Sequence, residues 1–218
     1  TNHTLDNTSD DYFILTLRGN SLKLLHNGSD YITETNPRQF RIENLTNAGE
    51  QYWTVTTTDG AEYRFGFNND SLLDSNTGRD YNIRWSLDQV EDIHGNKMFY
   101  RYDENPFAED SGAVYPANIT YNNNEDRLIE FNYEGQSRPD RRLVYEQGNL
   151  LEESRRLSDI SIYYNSSLVR KYNLGYTNLN SEKSLTTIAN ITYVGADGSS
   201  VLSTIHLEYY DALEGFDD

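Results

Sequence analysis

The side chains best suited to acid–base or metal chemistry here are four histidines and thirty-five carboxylates in 218 residues. Their spacing organises neither chemistry. His3, His26, His94 and His206 stand far apart, with no His-x-His or His-x-x-x-His pair to bring two imidazoles onto one metal. No Gly-x-Ser-x-Gly turn presents a serine nucleophile, and the absence of Cys removes thiol catalysis and thiolate metal sites. The carboxylates are dense enough for two to meet at glycosidase separations, yet no motif pairs them. A polysaccharide-binding or polysaccharide-cleaving β protein is therefore only the second alternative, and the primary expectation is no enzyme and no catalytic residue. The acidic turns Asp59-Gly60, Asp92–Asn96 and Asp197-Gly198 offer oxygen ligands for Ca²⁺. None has the Asp-x-Asp-x-Asp-Gly loop, and Asp and Asn favour turns without metal. No cofactor is expected, Ca²⁺ being the one weakly supported exception.

A modification motif is more abundant. Asn-x-Ser/Thr sequons occur at Asn2, Asn7, Asn27, Asn44, Asn69, Asn118, Asn165 and Asn190, several beside turn-forming residues. Asn118 and Asn190 each begin an Asn-Ile-Thr-Tyr strand motif, where a glycan needs the outward face. As glycosylation candidates they point to an extracellular or cell-surface protein.

The elements that must carry these residues read as strands. Only 36% of the chain is apolar, but 18 Tyr, 8 Phe and 2 Trp are spread along short segments of alternating polarity. Such aromatic content argues against disorder. A net charge of −17 opposes phosphate backbones, so no nucleic-acid partner is expected. The basic clusters Arg138–Arg141–Arg142 and Arg155–Arg156 read as partners for neighbouring carboxylates. No run approaches the roughly 18 apolar residues of a membrane-spanning helix. No signal pattern follows Thr1, and a start without Met fits a processed or excised segment.

Turn residues then divide the chain into hairpins. Tyr12–Arg18 stops at Gly19-Asn20, and Ser21–Leu25 stops at Asn27-Gly28. Gln51–Thr58 alternates about Trp53 and Val55, turns at Asp59-Gly60 and returns through Ala61–Phe67. Tyr81–Val90 reads as one strand, turning at Asp92–Asn96 into Lys97–Tyr102. Residues 105–115 read as a loop. Three further strand pairs follow: Ala117–Tyr121 with Leu128–Tyr133, Arg156–Tyr164 with Leu168–Tyr176, and Leu185–Val194 with Val201–Tyr210 about Gly195–Gly198. Asp140–Leu157 reads as a turn or short helical loop. The expected organisation is an N-terminal extension (1–11), an all-β domain (12–211) of successive antiparallel hairpins forming one large twisted or curved sheet, with loop insertions at 105–115 and 135–155, and a tail (212–218).

The segment Trp85–Asp103 combines a tryptophan-led strand, an Asp92-x-x-Gly95-Asn96 turn and a Tyr100-x-Tyr102-Asp103 return, and in its second half resembles the Rhs/YD-repeat proteins. Closer still is the SpvB-like amino-terminal domain, as in toxin-complex B components and related surface proteins. The chain is similar to it in a colinear series: Trp53-Thr54-Val55-Thr56, Asp59-Gly60 and Tyr63-Arg64-Phe65-Gly66, then Trp85–Asp103, then Ile119-Thr120-Tyr121 with Ile129–Tyr133. The series continues through Arg138-Pro139-Asp140, Tyr145-x-x-Gly148, Arg156-Leu157, Val169–Tyr176 and Ser184–Ile188, so the resemblance spans about 12–211. It implies a structural β domain of a shell or surface architecture, with effector activity carried elsewhere and no catalytic residue to transfer. The usual effector domain and calcium-binding propeller repeats are not in this sequence. The expected function is a cell-surface, sheath or fibre component that self-associates or packs against neighbouring Rhs/YD-type domains, with a toxin-encapsulating shell as first alternative.

Overall fold

The structure is a computed structural model describing residues 12–28, 30–78, 81–122, 124–178 and 186–209. The extension 1–11, the tail 212–218, His3 and the sequons Asn2 and Asn7 lie outside the described residues. Eighteen strands occur among those described: β1 (Ile14–Leu17), β2 (Asn20–Asn27), β3 (Asp30–Thr33), β4 (Phe40–Asn47), β5 (Glu50–Thr57), β6 (Glu62–Phe65), β7 (Leu72–Asp74), β8 (Asn82–Trp85) and β9 (Leu87–Glu91). The second half holds β10 (Lys97–Glu104), β11 (Val114–Tyr121), β12 (Arg127–Tyr133), β13 (Arg142–Glu146), β14 (Asn149–Glu153), β15 (Leu157–Tyr164), β16 (Ser167–Asn178), β17 (Thr186–Val194) and β18 (Val201–His206). A single 3₁₀ turn, Asn69–Ser71, is the only helical element among them.

Fourteen strands form one antiparallel sheet in the order β1-β2-β3-β4-β5-β6-β9-β10-β11-β12-β15-β16-β17-β18. The protein is all-β, a succession of hairpins as the sequence implied. Two hairpins, β7–β8 and β13–β14, stand outside that sheet. Both leave from the same end of the strands, as does the 105–113 loop. That end is called the loop rim. The opposite end, where Arg18-Gly19, Asp59-Gly60, Asp92–Asn96, Asn165-Ser166 and Gly195–Ser200 reverse the chain, is the turn rim. Arg18-Gly19 and Asn165-Ser166 both have paired positive φ, the type I′ geometry whose twist matches adjoining strands.

Register divides the sheet into two chemically different faces, because side chains alternate along each strand. One face carries Ile42, Trp53 and Val55, and continues through Tyr100, Ile119, Ile129 and Ile162, which lie opposite one another on β10, β11, β12 and β15. Over β1–β9 this face is closed. The leading hairpin rolls over it, so Leu15, Leu17 and Leu24 bury Ile42, Trp53 and Val55, while Phe13, Tyr31 and Trp85 meet Trp53 edge to face. Over β10–β18 the same face stays half-exposed, and Ile205 on β18 is 59% exposed. The other face carries Thr54, Arg64, Gln89, Asn118, Glu130 and Lys171.

Several expectations require correction. Asp140–Leu157 is not helical: β13 and β14 turn at Gln147-Gly148, both at positive φ, and pair Arg142 with Glu153 through Glu146 with Asn149. Tyr81–Val90 is not one strand. It breaks at Ser86, whose N–H goes to the Ser71 carbonyl, so β8 pairs with β7 and only β9 enters the large sheet. Trp85 and the Asp92 turn therefore belong to different sheets. The strands β3, β4 and β7 have no counterpart among the expected hairpins; β4 alternates through Phe40 and Ile42, but Asn44 interrupts its apolar series. Four of the five clustered arginines pair with carboxylates, Arg138 with Asp140, Arg141 with Glu152, Arg155 with Glu109 and Arg156 with Glu134.

Candidate functional site

The histidines do not converge. His26 packs edge to face on Tyr31, His94 sits in the Asp92 turn, and His206 is exposed on β18. No cluster of three or more metal-ligating side chains occurs among the described residues. The acidic turns use their own carboxylates. Asp92 accepts the N–H of His94 at 2.8 Å and of Asn96 at 2.9 Å, plus the Asn96 side-chain amide at 2.7 Å. These donors stabilise the carboxylate and hold its pKa below the ordinary carboxylate range. Asp197 is engaged by the Ser200 hydroxyl and the N–H groups of Ser199 and Ser200, and is lowered to about 2. The Thr57 hydroxyl and the Arg18 guanidinium do the same for Asp59, also lowered to about 2.

Of the sequons, Asn27, Asn69 and Asn165 are exposed, while Asn44, Asn118 and Asn190 are partly buried. The Asn190 amide lies over Gly175 on the neighbouring strand, where a Cβ would collide with it. Asn118 lies opposite Glu130 in the middle of the polar face.

What the fold does bring together is a row of tyrosines near the loop rim. Tyr102, Tyr133 and Tyr176 lie within two residues of the loop-rim ends of β10, β12 and β16, and each donates its hydroxyl to a carbonyl one strand back: Leu87 at 2.7 Å, Pro116 at 2.9 Å and Leu157 at 2.7 Å. Tyr209 repeats the bond to Ile188 at 2.9 Å. These hydroxyls are thus committed to backbone carbonyls. Burial pushes Tyr102 up to about 12 and raises Tyr133 and Tyr176 as well.

Each acceptor begins a tetrad: Leu87-Asp88-Gln89-Val90, Pro116-Ala117-Asn118-Ile119, Leu157-Ser158-Asp159-Ile160 and Ile188-Ala189-Asn190-Ile191. The second residue is skipped in pairing with the strand before it. Phe65 lies opposite Leu87 but Arg64 opposite Gln89; Tyr102 opposite Pro116 but Arg101 opposite Asn118; Tyr133 opposite Leu157 but Asn132 opposite Asp159; Tyr176 opposite Ile188 but Gly175 opposite Asn190. A β-bulge thus recurs at each of these four pairings across the loop rim. The repeat was legible in principle, as an aromatic-x-Tyr or Leu-x-Tyr phrase alternating with apolar-x-Asn/Asp/Gln-Ile/Val. Connections of unequal length hid it.

In the first tetrad the bulge residue is charged. Asp88 is fully buried, receives the Arg64 guanidinium at 2.7 Å, and accepts the N–H groups of Phe67 at 2.6 Å and Asn68 at 3.1 Å and the Ser71 hydroxyl at 3.3 Å. It thereby fixes the departure of the β7–β8 excursion. That excursion is tied to β13–β14 by the buried Asn149, which accepts from the Asn76 N–H at 2.8 Å and the Ser75 hydroxyl at 3.0 Å. These contacts serve strand pairing and loop anchoring.

A large antiparallel sheet of bulged, tyrosine-latched hairpins is the architecture of a structural β domain. The chain belongs to the SpvB family, described as Salmonella virulence plasmid 65kDa B protein, whose model matches residues 6–149. Among solved structures it is similar to the N-terminal domain of effector protein SpvB from Salmonella typhimurium strain LT2, at 13% identity and a TM-score of 0.62 over 80% of this chain and 69% of that one. It is also similar to TcdB2-TccC3, at 15% identity and a TM-score of 0.68, and to the Photorhabdus luminescens Tc holotoxin pore, at 16% and 0.66. Each likeness covers 93% of this chain but only 13% and 12% of those chains. At these identities the likeness is one of fold. No curated protein matches.

Proposed function

We propose that the chain is a non-catalytic wall segment, an extracellular structural β module whose domain, residues 12–211, packs against neighbouring Rhs/YD-type modules. The observation that carries this reading is the half-exposed apolar face of β10–β18. A monomeric sheet has reason to cover such a surface, as the rolled hairpin covers it over β1–β9, and a large open apolar patch marks an interaction surface. Hydroxyl-radical footprinting of Tyr100, Phe131, Tyr172 and Tyr193 tests it. These rings are expected to oxidise readily in the isolated chain and to be shielded in material from the native source. Equal oxidation in both would overturn the reading.

A toxin-encapsulating shell is the second reading, favoured by the fold likeness to TcdB2-TccC3. In that arrangement the polar face would meet water and the apolar face the enclosed space. The exposed Asn27, Asn69 and Asn165 are the sequons best placed to carry surface glycans, and glycopeptide mass spectrometry showing all of them bare would remove that part of the proposal.

A further inference from the structure

The two edges of the sheet are unlike. β1 is four residues long, and its Leu15 and Leu17 are committed to the core. β18 is exposed throughout, contains no Lys, Arg or Pro, and leaves Val201, Leu202 and Ile205 uncovered. An edge of that kind is a template for another strand. The bulge at Leu202 does not prevent this, because β16 has the same feature. There Val169 is skipped between Leu168 and Arg170, and β16 still pairs on its far side with β17 from Lys171 to Asn178. The match continues to the tyrosine: Val169 precedes Tyr176 by the same interval as Leu202 precedes Tyr209, and both hydroxyls make the backward latch.

Everything that precedes a tetrad strand at the earlier hairpins is therefore present at β18. We propose that the outer edge of β18 docks one further strand bearing the tetrad apolar–small–Asn/Asp–Ile/Val, its first residue opposite Tyr209 and its third opposite Glu208. The partner is a strand supplied from outside these 218 residues. The connections from tyrosine to tetrad run 103–115, 134–156 and 177–187, so an equivalent one would pass residue 218, and residues 210–218 contain neither Ile nor Val. The β1 edge of a second copy, Ile14-Leu15-Thr16-Leu17, has no amide or carboxylate at the third place and is not the partner. The proposal rests on reading the chain as a module that packs against neighbours, and names the strand chemistry of that contact.

The test uses the nonapeptide corresponding to Thr186–Val194, which carries the Ile188–Ile191 tetrad, added to the 218-residue chain. Leu207 donates its N–H inward to Ala189, so alternation turns the His206 N–H outward. Pro is tolerated where a strand's N–H faces solvent, so His206→Pro removes the outer donor and spares the inner ladder. The peptide is expected to slow exchange of the His206 amide and to bind the parent chain about tenfold or more tighter than a peptide with Asn190→Leu, a difference of about 1.4 kcal/mol. Binding should vanish in His206→Pro while the unfolding midpoint stays within a few degrees. No binding, equal binding of the Asn190→Leu peptide, or undiminished binding to His206→Pro would overturn the proposal. So would self-association that His206→Pro abolishes, since a second copy would then own the edge. Footprinting of the apolar face reads the module proposal separately, so either can fail alone.

Discussion

At the turn rim the chain reverses around single exposed carboxylates, and at the loop rim around buried polar groups shared between excursions. Asp59, Asp92 and Asp197 each bond to atoms within four residues in their own turn, with Arg18 added at Asp59. Asp88 and Asn149 instead join segments far apart in sequence: Asp88 holds Arg64 and the 67–71 stretch, and Asn149 holds Ser75 and Asn76. Solvent can replace what a turn-rim carboxylate does. At the loop rim no water substitutes for a lost partner, because unmet donors there stay buried. A sheet built from near-identical hairpins can thus be locally forgiving along one side and cooperative along the other.

Asp88→Ala should break that contrast most visibly. It strands the Arg64 guanidinium, which is 18% exposed, together with two backbone N–H groups, and removing one member of a buried ion pair costs about 3–5 kcal/mol. Urea unfolding should show that loss, with proteolysis near Phe67 in the surviving native fraction. An Asp88→Ala chain as stable as Asp92→Ala would mean that the two rims do not differ.

The tyrosine row is the next measure, at a smaller scale. Tyr133→Phe keeps the ring against Tyr115, at 4.7 Å between centroids, and deletes only the hydroxyl bond to Pro116. The expected loss is about 0.5–1.5 kcal/mol, the usual net contribution of one intramolecular hydrogen bond. Tyr209→Phe should lose less, since Tyr209 is 45% exposed beside the open edge. Similar losses at both positions would show that the latch contributes independently of its burial.

The turn rim was the legible side. Asp59-Gly60 and Asp92–Asn96 announce their geometry through residues that accept local N–H groups or adopt positive φ, and both turns formed where the residues placed them. Arg18-Gly19 turned one residue earlier than Gly19-Asn20, because Arg18 itself takes φ 51°. The loop rim was opaque because its order comes from long-range pairing. Nothing near Ser86 signals that β8 leaves the large sheet. Gln147-Gly148 is a hairpin turn followed by the buried anchor Asn149, and residue type alone does not separate that from the turn or short helical loop expected over Asp140–Leu157. The tyrosine latch was visible as residue type and hidden as partner, since its acceptors lie 15 to 21 positions away across connections of varying length. Sequence periodicity reports which face a side chain takes, and it is silent on which strand lies beside it.

Acid should act on the turn rim gradually. Asp59 and Asp197 are lowered to about 2 by hydroxyl and N–H donors, with Arg18 adding to the effect at Asp59. In an unfolded chain such groups titrate near about 3.9. A carboxylate depressed in the folded state contributes stability that is complete above its unfolded value and disappears as pH falls through the folded one. Urea midpoints should therefore decline from about pH 4 down to about pH 2 and stay flat just above that range. Asp59→Asn and Asp197→Asn should each flatten the decline, by a small amount because both carboxylates are exposed to solvent and salt. Asp140, lowered by Arg138 and by the Thr186 N–H and hydroxyl, works in the same direction from the loop rim. Its substitution with Asn should flatten the acid limb more than either turn variant, because Asp140 is nearly buried where it links the β12–β13 connection to β17, whereas the turn aspartates stand in solvent. Equal flattening by all three would mean that acid stability follows the number of depressed carboxylates, whichever rim they occupy.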